Sequence, residues 1–190
     1  MKRVIVAVLL SSMVVAPAFA DNSPYYAGVS LGSSSLPASS TSAFGIFAGY
    51  KLDKSMTPFM NNVGTLAIEG QYTSLGSDTA STSFAGNTLT ATAQYSTIGV
   101  DAVAMIPIKS VNNLSAFGKL GFNDVSASTS CSGTGIYAGT ACSYSASSGI
   151  NLGYGLGVQY NVNREFDVRA GYQSYASSVS TIYAAGIYNF

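Results

Sequence analysis

The stretch that decides the fold is Ile150-Asn151-Leu152-Gly153-Tyr154-Gly155-Leu156-Gly157-Val158-Gln159-Tyr160. Every even position carries a large apolar or aromatic side chain, and every odd position carries Gly, Asn or Gln. Alternation with a period of two predicts a β-strand with two different faces. In a soluble sandwich the second face would carry Lys and Glu. Here it is small and uncharged, which suits the crowded interior of a narrow barrel.

The same alternation recurs along the rest of the chain. Seven further segments show it: residues 25–32, 44–52, 65–75, 88–105, 114–125, 166–175 and 181–190. With residues 150–160 they make eight, and an even number of antiparallel strands brings both chain ends to the same side of a barrel. The sequence therefore predicts an all-β fold, an eight-stranded antiparallel up-and-down transmembrane β-barrel.

The connections between these segments are of two kinds. Stretches rich in Ser, Thr and Gly follow the odd-numbered segments: residues 33–42, 76–87, 126–148 and 176–180. Shorter links with Asn, Asp, Pro or Lys follow the second, fourth and sixth segments: residues 53–63, 106–113 and 161–165. Long outer loops and short inner turns are typical of outer-membrane barrels, so we expect the Ser/Thr-rich stretches to be the outer loops.

The amino-acid composition excludes several classes of function. Only 8% of the 190 residues are charged, against about 25% in a typical soluble domain, and the formal net charge is zero. This balance argues against a basic nucleic-acid-binding protein. The chain has no histidine, which excludes imidazole catalysis and many zinc sites. Its serine runs have no adjacent base to activate them. We therefore expect no catalytic residue, no cofactor and no metal site, and we do not expect an enzyme.

The N-terminus carries an export signal. Lys2 and Arg3 precede an apolar run, and Ala18-Phe19-Ala20 supplies the small-x-small pattern that signal peptidase accepts. The alternative, a transmembrane anchor, is disfavoured because the run is shorter than the ~20 residues that a spanning helix needs. We expect residues 1–20 to be a signal peptide cleaved between Ala20 and Asp21, and residues 21–190 to form the barrel domain.

The C-terminal segment ends in an aromatic residue. Phe190 and Tyr188 continue the alternate apolar positions of residues 182–186. This pattern looks like the signal read by the outer-membrane barrel assembly machinery. We therefore expect that machinery, together with periplasmic chaperones, to be partners during biogenesis.

Several short motifs occur in an order that resembles a known family. They are Tyr25-Tyr26-Ala27-Gly28, Phe47-Ala48-Gly49-Tyr50, Ile68-Glu69-Gly70-Gln71-Tyr72-Thr73-Ser74-Leu75-Gly76, Gly157-Val158-Gln159-Tyr160 and Arg169-Ala170-Gly171-Tyr172-Gln173. Over residues 24–190 the chain resembles the eight-stranded transmembrane barrel of the outer membrane protein A family, in its small members without the periplasmic domain.

The resemblance implies an outer-membrane location in a Gram-negative bacterium, with lipids and lipopolysaccharide as surroundings. Two functions are open: a structural or surface-interaction barrel whose outer loops contact an external ligand, and a narrow channel for ions or small solutes. An eight-stranded barrel is just wide enough to be filled by its own side chains, which disfavours a general diffusion porin. We expect a monomer that does not bind nucleic acid.

Strand parity predicts the lumen charges. Parity places Asp167 of the seventh segment on an inward face as well, but the lumen ion pairs are expected among four charged side chains: Glu69, Asp101, Lys119 and Arg169. An unpaired buried charge is costly, so we expect the two acids to pair with the two bases. The sequence leaves open which acid meets which base.

By resemblance, Glu69 and Arg169 match the glutamate and arginine whose salt bridge plugs the larger family member. Two positions depart from the family pattern. Gln159 replaces a second glutamate, and the family's lysine on the fourth strand falls near Val103. Since the arginine has fewer alternative partners here, the expectation is a fixed plug and not a gated pore.

Cys131 and Cys142 are the two cysteines of the chain, and both lie in the third predicted outer stretch. In a protein exported through an oxidising compartment, a lone pair this close in sequence predicts a disulfide.

Overall fold

Eight antiparallel strands follow one another in the computed structural model, which describes residues 24–36, 39–53, 55–60, 63–135 and 142–190. The strands are β1 (Tyr25–Ser35), β2 (Ser40–Lys51), β3 (Thr65–Phe84), β4 (Asn87–Pro107), β5 (Leu114–Gly133), β6 (Cys142–Asn161), β7 (Phe166–Ala176) and β8 (Val179–Asn189). The predicted signal cleavage site at Ala20 and Asp21 lies outside the described residues.

The sheet closes on itself. Each strand pairs with the next, and β8 returns to pair with β1, so that Tyr26 lies opposite Asn189 and Ser35 opposite Ser180. Closure pairs every strand on both sides within the ring, whereas, among the described residues, β3 beyond Ser74 has no partner on its β2 side and β6 before Tyr154 has none on its β7 side. The predicted eight-stranded antiparallel barrel is confirmed. Within the described ranges, no helix is long and apolar enough to cross a membrane.

The outward face of the barrel is apolar. On β6, Ile150 is 80% exposed and Leu152 is 63% exposed, while Gly153, Gly155 and Gln159 on the opposite face are buried. The apolar positions span eleven residues of β6, from Ile150 to Tyr160, and the ten steps between them correspond to about 33 Å of strand. At a tilt of about 40° this gives a belt about 25 Å tall, the height of the apolar band of transmembrane barrels.

The strands differ in length, and this corrects the predicted outer loops. The stretch 76–87 is not a loop, because β3 continues to Phe84 and β4 begins at Asn87. Most of the stretch 126–148 is also strand, since β5 continues to Gly133 and β6 begins at Cys142. We call the parts of β3–β6 formed by residues 74–84, 87–96, 126–133 and 142–148 the extension. It lies at the end of the barrel that carries the β3–β4 connection, residues 85–86, which we call the hairpin end. The opposite end, where Tyr25 and Phe190 lie side by side, is the turn end.

The extension is stabilised by contacts between the hydroxyl groups of Ser and Thr on paired strands. Thr79 and Thr92 hydroxyl oxygens lie 3.3 Å apart, and Ser81 and Thr90 lie 3.0 Å apart. Such cross-strand hydroxyl pairs stabilise a sheet without apolar burial. Ala85 and Gly86 close the β3–β4 hairpin with φ of 49° and 77°, as a two-residue type I′ turn requires.

A disulfide joins the ends of β5 and β6. Cys131 and Cys142 lie opposite each other in the strand register, with Cα atoms 4.9 Å apart, and they are bonded. The bond closes a short loop at the tip of the extension, which restrains the chain there.

We expect neither thiol of outer-membrane material to react with an alkylating reagent before reduction, because the bond forms during export. Mass spectrometry should find no label on the untreated protein and two labels after reduction in denaturant. Labelling of both cysteines without reduction would contradict the bond.

The turn end carries the longest connection of the barrel, residues 52–64 between β2 and β3. Between β2 and β3 a 3-10 helix spans Pro58–Met60. In the same connection the Ser55 backbone N–H donates to the Asp53 carboxylate at 2.8 Å, which lowers the pKa of Asp53.

Candidate functional site: the polar interior of the barrel

A three-charge cluster crosses the middle of the lumen. Glu69 accepts hydrogen bonds from Lys119 Nζ and from Arg169 Nη1, the latter at 2.8 Å. Tyr26 Oη donates to Glu69 Oε2 at 2.9 Å. The three charged side chains are 0–2% exposed. We call Glu69, Lys119 and Arg169 the charge triad. Since they come from β3, β5 and β7, the triad ties together strands on different sides of the ring.

Aromatic rings surround the two cations of the triad. The Arg169 guanidinium carbon lies 4.9 Å from the Phe117 ring centroid and 5.3 Å from that of Phe47. Lys119 Nζ lies 5.5 Å from the Phe47 centroid and 5.8 Å from that of Tyr183. Cation–π attraction adds to the ion pairs in such an enclosed site.

Two glycines make room for this packing. Gly49 lies opposite Tyr26 on the neighbouring strand, and Gly28 lies opposite Phe47. A Cβ atom at either position would overlap the ring of its partner. Each ring therefore occupies the space that a side chain at the opposite glycine would fill, which is how large side chains fit into so narrow a lumen.

A second polar layer lies on the hairpin side of the triad and is centred on Asp101. Its carboxylate accepts hydrogen bonds from Gln71 Nε2 and Gln173 Nε2, each at 2.8 Å, and from Asn123 Nδ2 at 3.4 Å. All four side chains are buried. Here amide donors, and not a cation, satisfy a buried carboxylate.

A third layer lies on the turn side and is centred on Asp167. Its carboxylate accepts from Gln159 Nε2 at 2.8 Å, Asn161 Nδ2 at 2.7 Å and Asn189 Nδ2 at 3.0 Å. Lys51 Nζ donates to Asn189 Oδ1 at 2.8 Å. Gln159 also accepts from Arg169 Nε at 3.0 Å, which joins this layer to the triad.

The structure places Glu69, Asp101, Lys119 and Arg169 inside the barrel, each at most 5% exposed. The expected two-by-two pairing is wrong. Glu69 takes both cations, and no salt bridge to Asp101 occurs among the described residues. Glu69 is favoured because it faces Lys119 and Arg169 at one level, whereas the neighbours of Asp101 are amides.

Sequence reasoning missed the Asp167 layer as a site. Parity places Asp167 on the inward face of β7, so the signal was present, but Lys51 lies at a strand end where parity says little. With these two residues the described interior carries three acids (Glu69, Asp101, Asp167) and three bases (Lys51, Lys119, Arg169). Its net charge is 3 − 3 = 0.

A cavity between the triad and the hairpin end has a volume of about 10 Å³ and is lined by residues that include Lys119, Thr181 and Tyr183. This volume accommodates about one water molecule. In the described part of the chain, no cluster of three or more His, Cys, Asp or Glu side chains could hold a metal ion.

The two C-terminal aromatic residues lie at the rim of the turn end. The Tyr188 ring centroid is 5.2 Å from that of Phe166 and 5.1 Å from that of Phe190. Tyr25 and Tyr50 form a further aromatic pair at the same rim, with centroids 5.1 Å apart. Aromatic girdles of this kind flank the apolar band of membrane barrels.

A closed barrel with an apolar outside, a polar inside and an aromatic rim is a transmembrane β-barrel. The chain belongs to the outer membrane protein beta-barrel domain family, whose profile matches residues 6–187. No curated protein matches the chain. The protein is therefore located in the outer membrane of a Gram-negative bacterium.

Solved structures of small barrels are similar to this chain. The attachment invasion locus protein Ail of Yersinia pestis is 18% identical, with 86% of this chain and 94% of that chain covered and a TM-score of 0.48. Neisserial surface protein A is 19% identical, with 88% and 98% covered and a TM-score of 0.48. The N-terminal barrel of Pseudomonas aeruginosa OprF is 13% identical, with 89% and 100% covered and a TM-score of 0.46.

Proposed function

We propose that this protein is a structural and surface-interaction barrel with a closed lumen, whose extension presents the contact surfaces. The observation that carries this proposal is the charge triad. Glu69 holds Lys119 and Arg169 across the lumen at full burial, and aromatic rings pack around both cations. A solute would have to separate buried opposite charges in order to pass.

The neighbouring layers support the same proposal. The amides around Asp101 and Asp167 bridge inward faces of several strands, and each carboxylate has three hydrogen-bond donors. A fully satisfied buried network is rigid. The polar lining favours one alternative, a narrow channel for ions or small solutes, which requires the triad to open.

Planar-bilayer conductance of the refolded protein tests the proposal. We expect no conductance steps from the wild-type protein and clear steps from a triple variant with Glu69→Ala, Lys119→Ala and Arg169→Ala, because this variant removes the side chains that close the lumen. Glu165→Gln, at an exposed turn, is the matched control and should behave as wild type. Conductance steps from the wild type as large as those from the triple variant would establish the channel function instead.

Further parts of the proposal concern export and partners. We propose that residues 1–20 are removed between Ala20 and Asp21, and that Tyr188 and Phe190 present the signal for the barrel assembly machinery after chaperones deliver the chain. The mature protein is proposed to be a monomer among lipids and lipopolysaccharide. It has no enzymatic activity and needs no cofactor in this proposal, and the extension contacts an external surface ligand.

A further inference from the structure

Two buried hydroxyl groups line the small cavity between the charge triad and the hairpin end. They belong to Thr181, which is 3% exposed, and to Tyr183, which is 8% exposed. Neither Thr181 Oγ1 nor Tyr183 Oη makes a hydrogen bond within the described part of the chain. Burial of a hydroxyl group without a hydrogen bond destabilises a folded protein, so such groups are rare and call for a partner.

The polar neighbours of these two hydroxyl groups are too poorly placed to satisfy them. Arg169 lies close to Tyr183, and Tyr175 lies close to Thr181, but neither contact has the geometry of a hydrogen bond. Arg169 Nη1 is directed to Glu69, to which it donates at 2.8 Å. A hydrogen-bond partner for the two hydroxyl groups therefore has to come from the cavity itself.

The ammonium group of Lys119 also lines the cavity, and it has unused donors. Lys119 is 5% exposed, and its one hydrogen-bond partner among the described residues is Glu69. An ammonium group has three N–H donors. The rings of Phe47 and Tyr183 attract its charge, with centroids 5.5 and 5.8 Å from Nζ, but they are not conventional acceptors. Lys119 therefore has at least one N–H left for a ligand in the cavity.

The size and the polarity of the cavity favour water as its ligand. A volume of about 10 Å³ holds about one water molecule and has no room for an organic ligand. None of the described residues that line it is Asp, Glu, His or Cys, and the charge of Lys119 disfavours a cation. Water both accepts and donates hydrogen bonds, so one molecule can serve an ammonium group and two hydroxyl groups at once.

The cavity lies between two layers of the polar network. Gln71 and Gln173, which donate to Asp101, line it together with Lys119 of the charge triad. Among the described residues no hydrogen bond joins the Asp101 layer directly to the triad, whereas Gln159 joins the triad to the third layer. A molecule in the cavity therefore occupies the place where the polar network is interrupted.

We propose that the cavity binds one structural water molecule, which accepts a hydrogen bond from Lys119 Nζ and bonds to the hydroxyl groups of Thr181 and Tyr183. The water gives each hydroxyl group a partner and gives Lys119 a second one besides Glu69. A buried water with about three hydrogen bonds is part of the structure, and its removal is costly. This inference rests on the closed lumen of the proposed function, because a conducting pore would exchange the water freely.

Thr181→Val and Tyr183→Phe test the proposal through the sign of their effect on stability, since each removes a hydroxyl group and little else. Urea titrations in phospholipid vesicles should show a lower midpoint for both, with a folded-to-unfolded ratio about fivefold smaller, because a hydrogen bond to the water is lost. Thr97→Val is the matched control. Thr97 Oγ1 is also buried without a hydrogen bond but does not line the cavity, so this variant should have a higher midpoint than wild type.

A crystal structure of the wild type that resolves ordered waters provides the direct measurement. We expect one density peak within about 3.2 Å of Lys119 Nζ and of at least one of the two hydroxyl oxygens. Higher urea midpoints for both Thr181→Val and Tyr183→Phe, or a wild-type crystal structure without the peak, would overturn the inference. Conductance separates the two failures. A missing water in a non-conducting protein refutes this inference alone, whereas a missing water in a conducting protein refutes the closed lumen as well.

Discussion

Glu69→Gln is expected to lower the free energy of unfolding by about 3–5 kcal/mol, because it leaves two buried cations without a counter-charge. Glutamine keeps the size of the side chain, so the loss reports the charge and not a cavity. Urea titrations in phospholipid vesicles, followed by far-ultraviolet circular dichroism, should show the lower midpoint. Glu165→Gln makes the same chemical change at an exposed turn and should leave the midpoint unchanged.

Substitution of one cation of the triad is expected to cost less stability than substitution of Glu69. Arg169→Met leaves Glu69 paired with Lys119 and hydrogen-bonded by Tyr26, so it should cost less than Glu69→Gln. The triple variant Glu69→Gln, Lys119→Met and Arg169→Met removes all three charges at once. Replacing a buried charge cluster by apolar groups of similar size is often neutral, so this variant should recover most of the loss. A triple variant less stable than Glu69→Gln alone would contradict coupling within the triad.

Most of the barrel could be predicted from the sequence, because one physical rule governs it. A strand between lipid and a narrow lumen must alternate apolar with small or polar residues, and residues 150–160 show this alternation directly. The same parity places Glu69, Asp101, Lys119 and Arg169 inside. The inward or outward direction of a side chain depends only on its position in its own strand. It can therefore be predicted without knowing which strands lie near each other across the lumen.

The ion-pair partners could not be predicted because they depend on the height of each side chain in the closed barrel. Lys119 on β5 lies opposite Val103 on β4. The lysine that the family resemblance places on the fourth strand therefore has its counterpart one strand later. Neither the shear of the barrel nor the cross-lumen distances appear in a local pattern of residues.

The extension was missed for a different reason. Large apolar residues at alternate positions were the signal for a strand, and the extension has few of them. Outside the membrane both faces of a strand meet water, so alternation of Ser and Thr with Ala is sufficient when cross-strand hydroxyl pairs and a tight turn hold the register. The Ala85–Gly86 turn and the pairing of Thr79 with Thr92 are the local features that indicate it.

At Asp101, in contrast to Glu69, substitution by the corresponding amide is expected to change the free energy of unfolding only a little, although both side chains are buried carboxylates. Asp101→Ala removes the acceptor of three amide hydrogen bonds and should lower the free energy of unfolding by about 2–4 kcal/mol. Asp101→Asn removes the charge but keeps an oxygen that can accept from Gln71 and Gln173, which both bind the same carboxylate oxygen. It should therefore cost much less than Asp101→Ala.

The comparison of the two amide substitutions separates two roles for a buried acid. At Glu69 the charge is essential, because cations surround it, whereas at Asp101 the acceptor oxygen is essential, because amide donors surround it. The same urea titrations measure both, with Asp124→Asn as the matched control on the outward face near the membrane boundary. If Asp101→Asn proves as destabilising as Asp101→Ala, the charge of Asp101 is required, and Lys119 then serves both carboxylates and not Glu69 alone.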